Sequence, residues 1–253
     1  MIVSNRVVNN PPNLDASIWR YMALERFRFL IEQSSLFFSR ADCLGDRFEG
    51  TFPRQNIETR LSRYHDRIPE WKKEHPGEDP EKKLSDFFRS WRQFVFVNCW
   101  HLNEHESAAL WHIYADQNKG VAIRSTIAQL TWALDGNRDT RFYGSLVKYI
   151  DYDKEMIPED DGLYPYIHKR RSYLYENEFR LLHEDPKVGQ WPDLGEQTKV
   201  GVSFPISLDR LITSVYVSPG SRDDQIELVE ALLATRSLRI KVVRSELDSP
   251  ALF

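Results

Sequence analysis

The chain has 253 residues, 41% hydrophobic, 28% charged and 13% aromatic, enough for one buried core or at most two small ones. Its 34 Lys and Arg against 38 Asp and Glu give a formal net charge of −4, which excludes a global basic field built to coat nucleic acid. Its 14 Phe, 11 Tyr and 7 Trp exclude a disordered acidic chain. Apolar runs such as Phe94–Val97 are far shorter than the roughly 20 residues that span a bilayer. No charged-then-apolar leader opens the chain, and Cys43 and Cys99 alone make neither a disulfide framework nor a four-thiolate zinc site. The expectation is a cytoplasmic protein with no membrane partner.

Taken in chain order, Met1–Pro12 reads as a polar leader, and Leu14–Gln33 as a strand followed by a helix with Leu24, Phe27, Leu30 and Ile31 at helical spacing. Ser35–Arg40 is a short strand, and Ala41–Gly50 (ADCLGDRFEG) a carboxylate-rich loop. Residues 53–93 change texture: Ile57, Leu61, Tyr64 and Ile68 form one stripe, and Leu84, Phe87, Phe88, Trp91 and Val95 another, on either side of a polar turn. This predicts a helical hairpin inserted over a sheet. Phe94–Trp100 is a strand, His101–Ser107 a polar turn, and Ala108–Asp116 a helix capped by Asn103 or Ser107 and ended by Asn118 and Gly120.

Val121–Arg124 resumes a strand, Thr126–Leu134 is a helix and Gly136–Thr140 a turn. Leu146–Ile150 and Tyr173–Leu182 are strands, divided by an acidic loop and a short basic helix around His168–Arg171. Trp191–Gln197 is loop and Val200–Phe204 a strand. Leu211–Val217, a helix capped by Ser221 with Asp224 in the capping-box position, and Leu238–Val243 make a strand–helix–strand unit. The fold class expected is α+β: a mixed, mostly antiparallel sheet with flanking helices, in a single domain over 1–253 with the insertion at 53–93.

The densest chemistry lies in Tyr173–Leu182. A strand there puts Glu176, Glu178 and Arg180 on one face and Tyr175, Asn177 and Phe179 on the other. Neighbouring carboxylates repel, so one takes a raised pKa unless a cation compensates. Such a face is the wall of a polar cleft or, more plainly, an edge strand with an ion pair. His101-Leu102-Asn103-Glu104-His105 spells the inverted zinc-peptidase pattern, which needs a helix to bring both imidazoles to one side. Lys169, Arg170 and Arg171 form a cationic patch suited to nucleic acid. Cys99 reads as an inert thiol within a strand, and no glycine-rich phosphate loop occurs.

Four segments together resemble a bacterial family known only as domain of unknown function 2971: Ile18–Met22 with Leu36–Gly50, Val97–Ile123, Val147–Asp153 and Lys169–Leu182. The Trp111, Tyr114 and Gly120 pattern with Glu176, Glu178 and Arg180 carries most of that likeness. Where the family shows Asn-Asp-Pro-Phe-Glu, this chain has Gly45-Asp46-Arg47-Phe48-Glu49. The order of parts is also similar to ADP-ribosyltransferases, which carry an Arg or His on an early strand and Glu-x-Glu on a late one. That resemblance implies NAD as substrate, with Glu178 as catalytic acid and Glu176 orienting the acceptor. It sets Arg20 against the pyrophosphate and Tyr114 or Trp111 stacked on a ring, with Asp46, Glu49 and Arg180 lining the cleft and no metal. Trp111 also reads as plain helix core. Two alternatives stand beside it: a non-enzymatic nucleic-acid- or ligand-binding module using Lys169, Arg170 and Arg171, and a zinc hydrolase using His101, Glu104 and His105.

Overall fold

The structure, a computed structural model, describes residues 13–64, 68–115, 119–185 and 199–252. The elements run β1 (Ser17–Ala23), α1 (Leu24–Gln33), β2 (Ser35–Arg40), α2 (Arg54–Tyr64), α3 (Ile68–Glu74), α4 (Pro80–Trp91), β3 (Val95–Leu102) and α5 (Ala108–Tyr114). They continue with β4 (Gly120–Thr126), α6 (Ile127–Ala133), β5 (Tyr143–Leu146), β6 (Lys148–Ile150), β7 (His168–Arg170) and β8 (Glu178–Glu184). The chain closes with β9 (Gly201–Pro205), α7 (Leu208–Leu211), β10 (Ser214–Val217), α8 (Asp223–Ala234) and β11 (Lys241–Arg244). This is the α+β arrangement expected, with flanking helices. The predicted leader and the Trp191–Gln197 loop lie outside the described residues, as do Asn118 and the side chains of Leu61 and Tyr64.

Nine strands form one sheet in the order β11-β10-β4-β1-β3-β2-β9, with β8 beside β3 and β5 beside β8. Every pairing in it is antiparallel except β10–β11. Strand β3 is the hub. One of its edges is taken by β8 from Val95 to His101. The other is shared: β1 meets His101 and Leu102, and β2 meets Phe96 and Val97. Between them the sheet forks. Asn98, fully buried, bridges the fork by donating to Phe37 O at 2.8 Å and accepting from Trp100 Nε1 at 2.6 Å.

Side-chain alternation gives the sheet two unlike faces. Ile18, Met22, Phe96, Trp100, Ile123, Phe179, Leu181 and Val215 point one way, into an apolar core closed by α1, α6 and α8 through Phe27, Leu130 and Val229. Trp19, Tyr21 and Ala122 point the other way and pack under α5 through Leu110 and Trp111. Gly120 permits the close return of α5 onto β4, because a Cβ there would lie 2.4 Å from Ala115 Cβ.

Several local readings need correcting. Among the described residues the insertion holds α2, α3 and α4, and α4 starts after the polar turn with the Asp79 cap and Pro80 in its first turn. His101 belongs to β3, since its backbone pairs with both Trp19 and Glu178. The 146–150 strand is two strands, with β6 leaving the main sheet to pair in parallel with β7. Residues 168–171 are not a helix: β7 ends at Arg170 and a 3-10 segment runs Arg171–Glu176. The strand carrying Glu178 therefore starts only at that residue, because Asn177 adopts φ 37° and breaks the chain direction. Helix α8 starts at Asp223 with Arg222 as its cap, while the Ser221 hydroxyl turns back to Ser218 O. The Thr126 and Gln129 capping box on α6 went unread.

Candidate active site

Strand β8 carries Glu178 and Arg180 on the α5 side of the sheet, and the 3-10 segment before it delivers Glu176 to the same place. All three are buried, with Glu176 6%, Glu178 5% and Arg180 1% exposed. The Asp46–Glu49 loop closes over them. Glu49 receives Arg180 in a fork, Nη1 at 2.7 Å and Nη2 at 2.8 Å, and Arg180 Nε donates to Glu178 Oε2 at 2.6 Å. Lys169 of β7 fills the centre: its Nζ lies 2.6 Å from Glu178 Oε1 and 3.3 Å from Glu49 Oε1, and it donates to Glu176 Oε2. Next to this cluster Asp46 accepts Arg170 through Nε at 3.1 Å and Nη2 at 2.6 Å, while its Oδ1 also caps Phe48 N at 3.1 Å.

Three carboxylates thus face two cations. Burial, the hydrogen bond to Glu178 and that residue's charge together push Glu176 up to about 7, so its protonation changes near neutrality. Burial works against ionising Glu178 as well, but Arg180, the hydrogen bond from Glu176 and Lys169 outweigh it and hold Glu178 well below the usual carboxylate range. The Tyr114 hydroxyl, from the end of α5, donates to Glu176 Oε1 at 3.0 Å, and burial keeps that phenol protonated. Tyr114 is 44% exposed and so covers Glu176 from the solvent side. The backbone N–H of Glu178 donates to Tyr149 Oη at 2.9 Å.

The structure brings together Glu49, Glu176, Glu178, Arg180 and Tyr114, with Asp46 adjoining. Glu178 points inward from β8 and Glu176 from the 3-10 segment, not from one strand as the alternation argument had them. They meet Lys169 and Arg180 rather than an open hollow. Trp111 is 5% exposed and packs edge-on against Tyr21 at 5.0 Å, as helix core.

Arg20 is not brought together with the acids. It shares the face of Ile18 and Met22, opposite the acids, 5.8 Å from the Trp100 ring at the fork, with Nη2 3.5 Å from Phe37 O. Its Nη1 is buried without a partner among the described residues, and desolvation lowers its pKa to about 10.

The cationic patch is corrected too. Lys169 is 7% exposed inside the cluster, Arg170 is bound to Asp46, and Arg171 alone faces outward, on Glu155 at 2.7 Å. The zinc pattern fails for want of a helix: His101 is on a strand and His105 in the following bend. Among the described residues no group of three or more His, Cys, Asp or Glu could hold a metal ion. Cys99 lies in β3, where burial pushes its thiol up.

Tyr149 carries no motif, while Lys169 falls in the cationic patch and His101 in the zinc pattern; sequence order alone does not join them to the carboxylates. The available signal for Lys169 is weak: a lysine four residues before Tyr173, in a run that reads as a surface patch.

No protein-family model matches the chain, and no curated protein matches it. Two solved structures are similar in outline. Thermus sp. 2.9 DarT in complex with carba-NAD+ is 11% identical, with 94% of this chain and 98% of that chain covered and a TM-score of 0.36. Thermus sp. 2.9 DarT in complex with ADP-ribosylated ssDNA is 9% identical, with 96% and 100% covered and a TM-score of 0.41. Likeness this loose says nothing about which residues act. Among the described residues no helix is long and apolar enough to cross a membrane.

Proposed function

We propose that the chain is an NAD-using transferase or glycohydrolase of the ADP-ribosyl class, working at the Glu176–Glu178 pair. One observation carries this reading: two buried carboxyls, two residues apart, are driven in opposite directions by their surroundings, Glu178 to a fixed anion and Glu176 to about 7. A pair so divided supplies an anion and a proton-exchanging group at one point, which is what cleavage of a glycosidic bond through an oxocarbenium-like state requires. Glu178, held by Arg180 and Lys169, costs no reorganisation as positive charge develops on the ribose. Glu176 lies nearer the surface, and a ligand reaches it once the Tyr114 hydroxyl leaves Oε1. The four segments that resemble the unknown-function family, from Ile18 to Leu182, belong to this proposal. Arg20 stands outside it, because its side chain is on the far face of the sheet.

The test is to incubate the protein with labelled NAD and a panel of acceptors that includes single-stranded DNA and protein. Nicotinamide release is expected, and Glu178→Gln should lower it by about 100-fold or more. Tyr114→Phe, which leaves the ionic cluster whole, should change the rate without loss of fold. Absence of NAD turnover by the native chain, or equal rates for Glu178→Gln, removes the reading.

A further inference from the structure

His101 is buried at 7% exposure in β3, and its backbone is paired with Trp19 on one side and Glu178 on the other. Its imidazole therefore lies on the face that carries Glu178, with the Tyr21 ring 6.3 Å away. Nδ1 is 2.6 Å from the backbone carbonyl of Glu176. A carbonyl oxygen only accepts, so Nδ1 carries the hydrogen, and a neutral ring then leaves Nε2 as a bare lone pair. That Nε2 is buried and has no hydrogen-bond partner among the described residues. A buried acceptor left without a donor costs about 1–3 kcal/mol, and native proteins retain few of them without a use.

The other bases of the cluster are already engaged. Glu178 holds Arg180 and Lys169, and Glu176 holds Lys169 and the Tyr114 hydroxyl. We infer that His101 is a further catalytic residue of this site, whose Nε2 receives the proton of the attacking nucleophile; the inference rests on the transfer reading above. The nucleophile X–H forms its bond to C1 of the ribose while the C–N glycosidic bond breaks. Its electron pair leaves with nicotinamide, neutralising the pyridinium nitrogen, and the proton of X–H passes to Nε2. Atoms and charge balance without any further reactant: one pyridinium charge is lost and one imidazolium charge is gained. Desolvation holds the imidazole below its ordinary range, so it stands ready as a neutral base. The charged and titratable groups around it are Glu178 of β8, Glu176 of the 3-10 segment and Tyr21 of β1.

Two measurements on the full chain test this. In 15N-histidine NMR, His101 should show a protonated Nδ1 and an unprotonated Nε2, and the Nε2 resonance should move on addition of ADP-ribose. An Nε2–H tautomer, or a resonance unmoved at saturating ADP-ribose, overturns the inference whether or not NAD is turned over. In the NAD assay, His101→Asn keeps an N–H for the Glu176 carbonyl and removes Nε2. It should keep its thermal transition, while NAD cleavage falls by about 100-fold whether water or another acceptor is the nucleophile. Wild-type transfer rates in that variant overturn the inference and leave the NAD reading standing. A native chain inert to NAD removes the NAD reading and with it the catalytic role of His101.

Discussion

Strand β8 faces two different interiors. Phe179 and Leu181 enter the apolar core under α1 and α8, among Ile18, Phe96 and Trp100. Glu178 and Arg180, their immediate neighbours in sequence, enter an ionic cluster just as dry. The apolar side is held by transfer of surface from water, which is non-directional and tolerates a change of volume at a graded cost. On the ionic side, each charge is tolerable only while its partners stay in place, because a lone buried ion loses solvation that nothing else returns. Equal burial therefore means unequal fragility, and the charged side is where a ligand or a proton alters the balance.

The largest effects should come from truncation, and the two faces should differ in how that loss depends on pH. Arg180→Ala leaves Glu49 and Glu178 without their forked partner and is expected to cost about 3–5 kcal/mol, by the measured penalty for breaking a buried pair. Phe179→Ala, its neighbour, should cost a similar amount, about 3–5 kcal/mol, through its cavity. Urea unfolding at two pH values separates them. The Phe179→Ala loss should be the same at pH 5 and pH 8, whereas the Arg180→Ala loss should shrink at pH 5 as the stranded carboxylates protonate. If the two variants respond identically to pH, the distinction between the faces fails.

A smaller effect concerns Glu176. Its folded pKa of about 7 lies above the ordinary value of 4.5, so the folded state binds more protons between those values. Stability from this group is fully present below about pH 4.5 and declines as pH rises toward 7. Glu184, also raised to about 7, acts in the same sense, while Glu178 acts oppositely and loses its contribution only as pH falls below 4.5. Glu176→Gln should consequently be more stable than the native chain at pH 8, by on the order of 1 kcal/mol, and should flatten the slope between pH 4.5 and 7. A variant whose denaturation profile keeps the native slope would place the cluster's proton elsewhere.

Smallest of all is Arg171→Ala. Its pair with Glu155 is solvent-exposed, with side chains 65% and 37% accessible, and such pairs contribute at most about 1 kcal/mol. A midpoint shift within error is expected, in contrast to Lys169, two residues earlier in the same basic run.

What the amino-acid order made plain is whatever repeats along the chain. Phe94–Trp100 and Leu211–Val217 announced strands, Ile226, Val229 and Leu233 announced α8, and Ser107 announced the start of α5. That Glu178 and Arg180 share a face opposite Phe179 was legible too, because alternation in a strand is fixed by the pleat, though not whether that face turns inward. Glu176 reached the cluster by another route, through the left-handed Asn177, which period-two reasoning does not detect.

Two things waited for the tertiary structure. One was the keystone: Lys169 sits in a Lys-Arg-Arg run that reads as surface, and only the parallel pairing of β6 with β7 carries it inside. The other was which face each residue serves. Arg20 and Glu178 look like partners in sequence order, yet β1 sets Arg20 against Trp100 on the far side of the sheet. The physical reason is one and the same. Periodicity records a residue's orientation relative to its own backbone, whereas partnership across some 150 positions depends on strand pairing, and pairing is fixed by the sum of many weak contacts that no short stretch contains.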